Sequence, residues 1–285
     1  MKGLGTALVT PFLEDGSVDF EALGTLIEHQ VAGGTDYLVV LGTTSESPTL
    51  THKEQDEIID FVVKQVAGRM PLVLGVGGNS TAAVVARIEE LKATLTANFA
   101  AILSVTPYYN RPQQEGLYLH FCEVANASPV PVILYNVPKR TGVNLLPETT
   151  RRIYDACPDK IMGIKEACGS LEQFTATIEA ANGDFSVISG DDDLACDMMK
   201  AGGAGLISVA SNAWPKEMKQ IVAEQDAMMQ SKMGHRIHLL FVEGSPSGIK
   251  TVLTEMGMTK NVLRLPLVPN TENTQMVIHR AIAQG

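Results

Sequence analysis

A lysine at the end of an apolar run is the residue of this chain with the clearest chemical potential. The run IMGIKEA covers residues 161–167, and the alternation of side chains along a strand places Ile161, Gly163 and Lys165 on one face, with the ammonium at the carboxyl end. Burial of an amine favours its neutral form, and a neutral amine can condense with a ketone to form a Schiff base. The alternative is that Lys165 ends an edge strand and pairs with Glu166 in water.

Further polar groups follow other apolar runs. The turn GTTSE, residues 42–46, can aim backbone N–H groups and the Thr44 hydroxyl at a carboxylate. The segments TPYYNRP (106–112) and YNVPKRTG (135–142) add tyrosines, which can shuttle a proton, and Arg140, which can bind a carboxylate through two hydrogen bonds. Each group also has a simpler explanation, because small polar residues commonly cap turns and tyrosines at strand ends commonly pack.

Eight β-rich runs, each followed by a loop and a helical stretch, must position these groups. The runs lie near residues 5, 37, 71, 100, 131, 161, 185 and 205, and apolar residues recur at helical spacing within 20–34 and 51–68. Continuous apolar strands that alternate with helices indicate an α/β fold with a parallel sheet, and eight units favour a closed (β/α)8 TIM barrel. Catalytic groups of such a barrel lie at the carboxyl ends of its strands. An open doubly wound sheet is the alternative, although no GxGxxG follows the first strand.

The strand pattern stops after Trp214 and Pro215. The remaining residues have the pattern of helices, broken by GSPSG (244–248) and by LRLPLVPN (263–270). We therefore predict a catalytic barrel over residues 1–224 and a helical carboxyl-terminal domain over residues 225–285.

Composition excludes several classes of partner. The 285 residues carry a formal net charge of -10, so no basic surface for nucleic acid or anionic lipid is expected. The amino terminus resembles a signal peptide, but Glu14 and Asp15 follow directly and a first strand explains it better. No apolar run approaches the roughly 18 residues of a membrane span. The four cysteines form no CxxC pair and no metal-ligand pattern with the histidines, so we expect a cytoplasmic protein with reduced thiols and no metal.

Taken together and in order, six motifs resemble the dihydrodipicolinate synthase family over the whole chain. They are GTTSE, TPYYNRP, YNVPKRTG, IKEA, SGDD (189–192) and GLISVASN (205–212). The resemblance implies a class I aldolase-type lyase that needs no cofactor and condenses pyruvate with aspartate semialdehyde in lysine and diaminopimelate synthesis. It also implies a homotetramer, built as a dimer of dimers.

The family motifs carry roles onto residues of this chain. Lys165 would form the Schiff base with pyruvate, and Tyr135 would relay protons. Thr43 would bridge Tyr135 to Tyr109, which in the family reaches in from a neighbouring subunit. The other implied roles are the pyruvate carboxylate site (Thr44), the semialdehyde carboxylate site (Arg140) and the lining of the lysine pocket by backbone (Gly190 and Ile207).

Two other functions are open at this point. An N-acetylneuraminate lyase or a 2-keto-3-deoxy sugar acid aldolase would also use a lysine and a tyrosine, but Arg140 suits a carboxylate better than a sugar chain. A keto-acid sensor without catalysis would be expected to lose one of those two residues. Two departures from the family pattern are Ser45, where glycine is frequent, and GSPSGIK (244–250), where a proline-rich run is frequent.

A second resemblance concerns regulation. In family members inhibited by lysine, an effector site lies at the dimer interface, and Ser47, His52, Asn79 and Tyr108 match it. A histidine of the sensitive pattern is replaced by Gln55 and a glutamate by Ala83. Without that carboxylate the ammonium of the effector loses solvation that no anion replaces, so we expect weak or absent inhibition by lysine.

Overall fold

The computed structural model describes residues 1–283, and its centre is a closed barrel of eight parallel strands. The strands are β1 (Gly3–Ala7), β2 (Tyr37–Val40), β3 (Leu72–Gly75), β4 (Ala101–Val105), β5 (Val132–Asn136), β6 (Ile161–Glu166), β7 (Ser186–Ser189) and β8 (Gly205–Ser208). They pair in sequence order from β1 to β8, which confirms the predicted (β/α)8 fold and makes the open sheet wrong. The segment near the amino terminus is the first strand, as predicted.

Helices alternate with the strands and continue after them. They are α1 (Phe20–Gly33), α2 (His52–Val66), α3 (Thr81–Glu90), α4 (Lys92–Asn98), α5 (Gln114–Ala127), α6 (Pro138–Thr141), α7 (Pro147–Ala156), α8 (Leu171–Ala181), α9 (Ala195–Lys200), α10 (Pro215–Glu224), α11 (Ala227–Leu239), α12 (Ser247–Glu255) and α13 (Glu272–Ala283). Short 3-10 helices cover Thr43–Ser45, Ser47–Thr49, Asp192–Leu194 and Ala210–Asn212. No helix within residues 1–283 is both long enough and apolar enough to cross a membrane.

Local sequence explains where the first helices begin and end. The Asp19 carboxylate accepts a hydrogen bond from the Ala22 N–H (2.9 Å) and caps α1, which ends at Gly34 in the left-handed conformation (φ 77°). Thr51 and Glu54 form a reciprocal capping box at the start of α2. α1 therefore ends just before β2, and α2 begins after the turn that follows β2.

Contacts divide the chain into two compact units. The first unit comprises Met1–Leu4 and Pro71–Ile207, and the second comprises Gly5–Met70 and the chain from Ser208 onward. In the first unit, β3 to β7 pair in parallel, and the β5–β6 register sets Tyr135 beside Lys165 and Asn136 beside Glu166.

The second unit holds the β1–β2 pair and the helices that follow the barrel. Those helices confirm the helical reading after Pro215, whereas a domain boundary at residues 224 and 225 stays a prediction. The core of each unit is apolar and includes fully buried strand residues such as Val39 and Ile133.

Candidate active site

Lys165 and Tyr135 lie side by side on neighbouring strands near their carboxyl ends. They are register partners of β6 and β5, and the Lys165 Nζ lies 4.4 Å from the centre of the Tyr135 ring. Each side chain is only 6% exposed. Because β6 pairs with β5 on one side and with β7 on the other, it is not an edge strand, and the alternative reading of Lys165 as a solvated strand end is wrong.

Glu166 points to the opposite face of β6 and is fully buried. Its carboxylate accepts hydrogen bonds from the Asn136 Nδ2 (3.0 Å), the Gln173 Nε2 (3.0 Å) and the Cys168 N–H (2.9 Å). Burial raises the pKa of Glu166, although these hydrogen bonds act in the other direction. Glu166 therefore joins β5, β6 and α8 behind Lys165 instead of forming an ion pair with it.

Gly190, the residue that directly follows β7, lies close to Lys165. The Gly190 N–H donates to the Glu166 carbonyl (2.8 Å), and a Cβ at Gly190 would lie 2.9 Å from the Lys165 Cε. A side chain at this position would therefore force its neighbours to move. Ile207, on β8, is 1% exposed and contributes to the core of the same unit.

Asp191 is a charged residue that the sequence reasoning passed over. Its Oδ2 accepts a hydrogen bond from the Gly169 N–H (3.1 Å). Burial raises the pKa of Asp191, while Lys139 and Lys165 act in the opposite direction because their positive charges favour the carboxylate. The acidic pair in SGDD, directly after a buried strand, was the available sequence signal.

The turn after β2 carries Thr43 and Thr44. Thr43 is half-buried and Thr44 is 5% exposed, both in a 3-10 helix that follows the strand. Ser45 stands where glycine is frequent in the family, and its Oγ donates to the Leu8 carbonyl (2.7 Å). Glu46, which ends the turn, is 1% exposed, and sequence reasoning assigned it no role.

Arg140 lies on α6, the single helical turn that follows β5. The Arg140 N–H donates to the Val137 carbonyl (2.9 Å), and Gly142 ends the turn in the left-handed conformation (φ 73°). The Arg111 Nε donates to the Gly142 carbonyl (3.0 Å), which ties the loop after β4 to the loop after β5. Arg140 is exposed.

Tyr109 is 89% exposed and has a left-handed backbone (φ 74°). A side chain this exposed does not pack in the Lys165 pocket of its own chain, so the structure does not join Tyr109 to Tyr135 within one chain. Tyr108 is 39% exposed, and the tip of this loop is closed by a hydrogen bond from the Asn110 N–H to the Tyr108 carbonyl (2.9 Å).

The residues of the expected effector site fall in both units. In the first unit, the Asn79 carbonyl accepts a hydrogen bond from the Asn110 Nδ2 (2.8 Å), and Ala83 is exposed on α3. In the second unit, His52 is exposed at the start of α2, and the Gln55 Nε2 donates to the carbonyls of Ser47 (3.3 Å) and Leu50 (3.3 Å). The Gln55 amide is thus engaged by the adjacent turn.

Comparisons with known proteins show the family to which the chain is similar. The model of the dihydrodipicolinate synthetase family matches residues 1–285. The 4-hydroxy-tetrahydrodipicolinate synthase of Parabacteroides distasonis is 48% identical over 291 residues, which cover 100% of this chain and 97% of that protein. The crystal structure of dihydrodipicolinate synthase from Thermotoga maritima is 38% identical and superposes with a TM-score of 0.95, covering 100% of this chain and 98% of that one. The pyruvate complex of the chloride-inhibited enzyme from Acinetobacter baumannii is also 38% identical, with a TM-score of 0.94 and coverage of 99% and 98%.

Proposed function

This chain belongs to the dihydrodipicolinate synthetase family, and we propose that Lys165 is the nucleophile with which it acts as a 4-hydroxy-tetrahydrodipicolinate synthase. The enzyme is a pyruvate-dependent lyase of lysine and diaminopimelate biosynthesis, and it condenses pyruvate with L-aspartate 4-semialdehyde. The observation that carries the assignment of Lys165 is its burial beside the Tyr135 ring, 4.4 Å from the ring centre, at the carboxyl ends of two barrel strands.

The chemistry begins with attack of the Lys165 amine on the carbonyl carbon of pyruvate. Loss of one water gives a protonated imine, and removal of a proton from the methyl group gives an enamine whose carbon attacks the aldehyde of the second substrate. The amine of the resulting adduct then attacks the imine carbon, which closes the ring and releases Lys165. Tyr135 supplies and removes protons in these steps, because its ring centre lies 4.4 Å from the Lys165 Nζ and a phenol can donate and accept a proton.

Two carboxylate sites complete the proposal. Thr44, with its backbone N–H in the short helix after β2, holds the pyruvate carboxylate, and Thr43 links Tyr135 to the tyrosine of a neighbour. Arg140 binds the semialdehyde carboxylate, since an exposed guanidinium after β5 can form two parallel hydrogen bonds to it. Gly190 and Ile207 line the pocket.

The sugar-acid aldolases of the same superfamily are the second candidate, and no contact among residues 1–283 favours them over the synthase. A sugar chain requires hydroxyl-binding groups where Arg140 lies. An assay of sugar-acid cleavage, run beside the condensation assay, separates the two functions.

We propose that Tyr109 serves the active site of a neighbouring copy in a homotetramer arranged as a dimer of dimers. The exposure of Tyr109 (89%) on a loop with a left-handed backbone supports this role, because costly backbone conformations of this kind cluster at functional sites. Sedimentation at assay concentrations is expected to show an oligomer, and a fully active monomer would leave Tyr109 without that role.

The experiment for the Schiff base is reduction with borohydride in the presence of pyruvate, followed by peptide mass mapping. The adduct is expected on Lys165, and Lys165→Ala is expected to abolish both adduct and activity. Lys160→Ala is the matched control, because Lys160 directly precedes the same strand and its Nζ donates to the Ser128 carbonyl (2.9 Å) away from the strand's carboxyl end. A label on another lysine, or an active Lys165→Ala variant, would refute the proposal.

A further inference from the structure

The turn that carries Thr43 and Thr44 has an unusual backbone at both ends. Leu41, before the turn, and Glu46, at its end, each have a φ of 56°. For any residue that has a side chain, the left-handed conformation is unfavourable in free energy, and leucine and glutamate rarely adopt it. Contacts elsewhere in the second unit must therefore hold this turn.

Glu46 provides such contacts through its carboxylate, which is buried. One oxygen forms an ion pair with the Lys250 ammonium, and the other accepts a hydrogen bond from the Arg264 N–H (3.0 Å). The exposed fractions of the Glu46 and Lys250 side chains are 0% and 1%, respectively. The Lys250 ammonium and the Arg264 N–H hold the Glu46 carboxylate in one position. Because the backbone of Glu46 ends the turn, these contacts also restrain the turn.

Lys250 is held as firmly as Glu46. Its Nζ donates to the Val262 carbonyl (2.9 Å) and lies 4.1 Å from the centre of the Phe12 ring. The Arg264 guanidinium lies 4.6 Å from the same ring. Burial lowers the pKa of Lys250 to about 8, although the Glu46 carboxylate acts in the opposite direction. Groups within the second unit thus fix the position of the ammonium, although burial disfavours its charge.

Arg264 forms further hydrogen bonds to residues near the turn and in the loop around Gly16. Its Nη2 donates to the Gly16 carbonyl (2.7 Å) and its Nη1 to the Thr49 carbonyl (2.9 Å). Both Nη atoms also bind the Glu54 carboxylate, at 2.5 Å and 3.0 Å. Arg264, which follows α12, therefore connects the loop around Gly16 with Thr49 and Glu54, which follow the turn.

A buried ion pair is a poor source of stability, because the cost of removing both charges from water offsets their attraction. What such a pair can provide is a fixed position. We propose that Glu46 and Lys250 are positioning residues that fix the turn Thr43–Ser45, and thereby the pyruvate carboxylate site. This inference rests on the proposed function of Thr44.

The test compares Glu46→Gln and the uncharged double variant Glu46→Gln/Lys250→Met with wild type. The dependence on pyruvate concentration is measured twice: with pyruvate as the only substrate, by borohydride trapping, and in the complete reaction with both substrates. The pyruvate concentration for half-maximal trapping is expected to rise about tenfold or more, the effect of weakening one hydrogen bond to a charged group, while the KM for the semialdehyde stays within about twofold. If Glu46→Gln does not fold, the double variant decides, because it leaves no buried charge unpaired.

Asp36→Asn/Lys219→Met is the matched control. It removes the half-buried ion pair between Asp36 and Lys219, which lies next to the amino end of β2 instead of beyond its carboxyl end. The control is expected to leave pyruvate saturation unchanged even where it lowers the melting temperature.

Hydrogen exchange of the ligand-free protein separates this inference from the proposed function. Amides of residues 43–46 are expected to exchange faster in the double variant, while those of β2 keep their protection. Unchanged exchange in the turn, or a lower melting temperature with unchanged pyruvate saturation, overturns the positioning role. A wild-type protein that forms no pyruvate adduct removes the proposed function, whereas the exchange result still decides whether the ion pair fixes the turn.

Discussion

Replacing Gly190 with alanine tests whether the position of Lys165 depends on the absence of a side chain at residue 190. A methyl group at this position would lie 2.6 Å from the Ala167 Cβ and 2.9 Å from the Lys165 Cε. Carbon atoms pack at about 3.5 to 4.0 Å, so both contacts are too short and each must lengthen by roughly 1 Å. The Lys165 Cε belongs to a long side chain, and the contact to it can lengthen only if the nucleophile is displaced or the Gly190 backbone shifts.

The magnitude follows from two separate costs. Overpacking of this kind destabilises a core by about 1 to 3 kcal/mol, and a displacement of about 1 Å in a reacting group can slow its reaction about a hundredfold. We expect Gly190→Ala to lower the melting temperature modestly and to slow formation of the pyruvate imine about a hundredfold. Both effects are measured on the same sample, by thermal unfolding and by the time course of borohydride trapping.

Two further variants make this result interpretable. Gly24→Ala, on α1, is the control, because its Cβ would meet the Phe61 Cζ at an ordinary 3.5 Å and alanine favours a helix. Ala167→Gly/Gly190→Ala removes the closer contact but keeps the one to Lys165, so it is expected to regain stability while trapping stays slow. Trapping by Gly190→Ala at the wild-type rate would refute the confinement of Lys165.

Three further outcomes are expected. Arg140→Ala should weaken use of the semialdehyde by about ten- to a hundredfold, the value of a charge-assisted contact of about 1.5 to 3 kcal/mol, with pyruvate trapping unchanged; equal losses in both half-reactions would remove this role. Lysine should inhibit weakly or not at all, and Ala83→Glu should restore some inhibition; strong inhibition of the wild type at low lysine concentration would contradict this. Burial lowers the pKa of His120 from 6.5 to about 4, so the unfolded chain binds a proton that the folded one does not, and stability should fall as the pH falls through this range, by at most about 1.4 kcal/mol per pH unit. His120→Gln should flatten the pH dependence measured by chemical unfolding, and an identical slope in the variant would exclude His120 as its source.

The parts of the fold that depend on short-range pattern were predictable. Each strand is an apolar run of four to six residues, and the period of two along β6 correctly separated Lys165 from Glu166. Strand order in a barrel then places Tyr135 beside Lys165, because β5 and β6 are consecutive. The place of Arg140 just beyond the carboxyl end of β5 was predictable by the same reasoning, whereas its role stays a prediction.

The contacts that were missed join residues far apart in the chain. Glu46 and Lys250 are each ordinary in their local sequence, and neither periodicity nor a turn motif pairs them. One sequence signal existed: Lys250 lies within the apolar stretch SGIKTVL of α12, where a cation requires a buried partner. The exposed conformation of Tyr109 depends on a left-handed backbone at a residue that seldom adopts it, which no propensity predicts.

The ion pair between Glu46 and Lys250 also has a consequence for the newly made chain. Glu46 is synthesised 204 residues before Lys250, and at about 5 to 20 residues per second this interval lasts roughly 10 to 40 seconds. During that time β1 and β2 are present while the turn between β2 and α2 lacks its cation, so Glu46 must remain hydrated. The pyruvate site is therefore expected to form only after α12 has emerged from the ribosome, later than the strands that surround it.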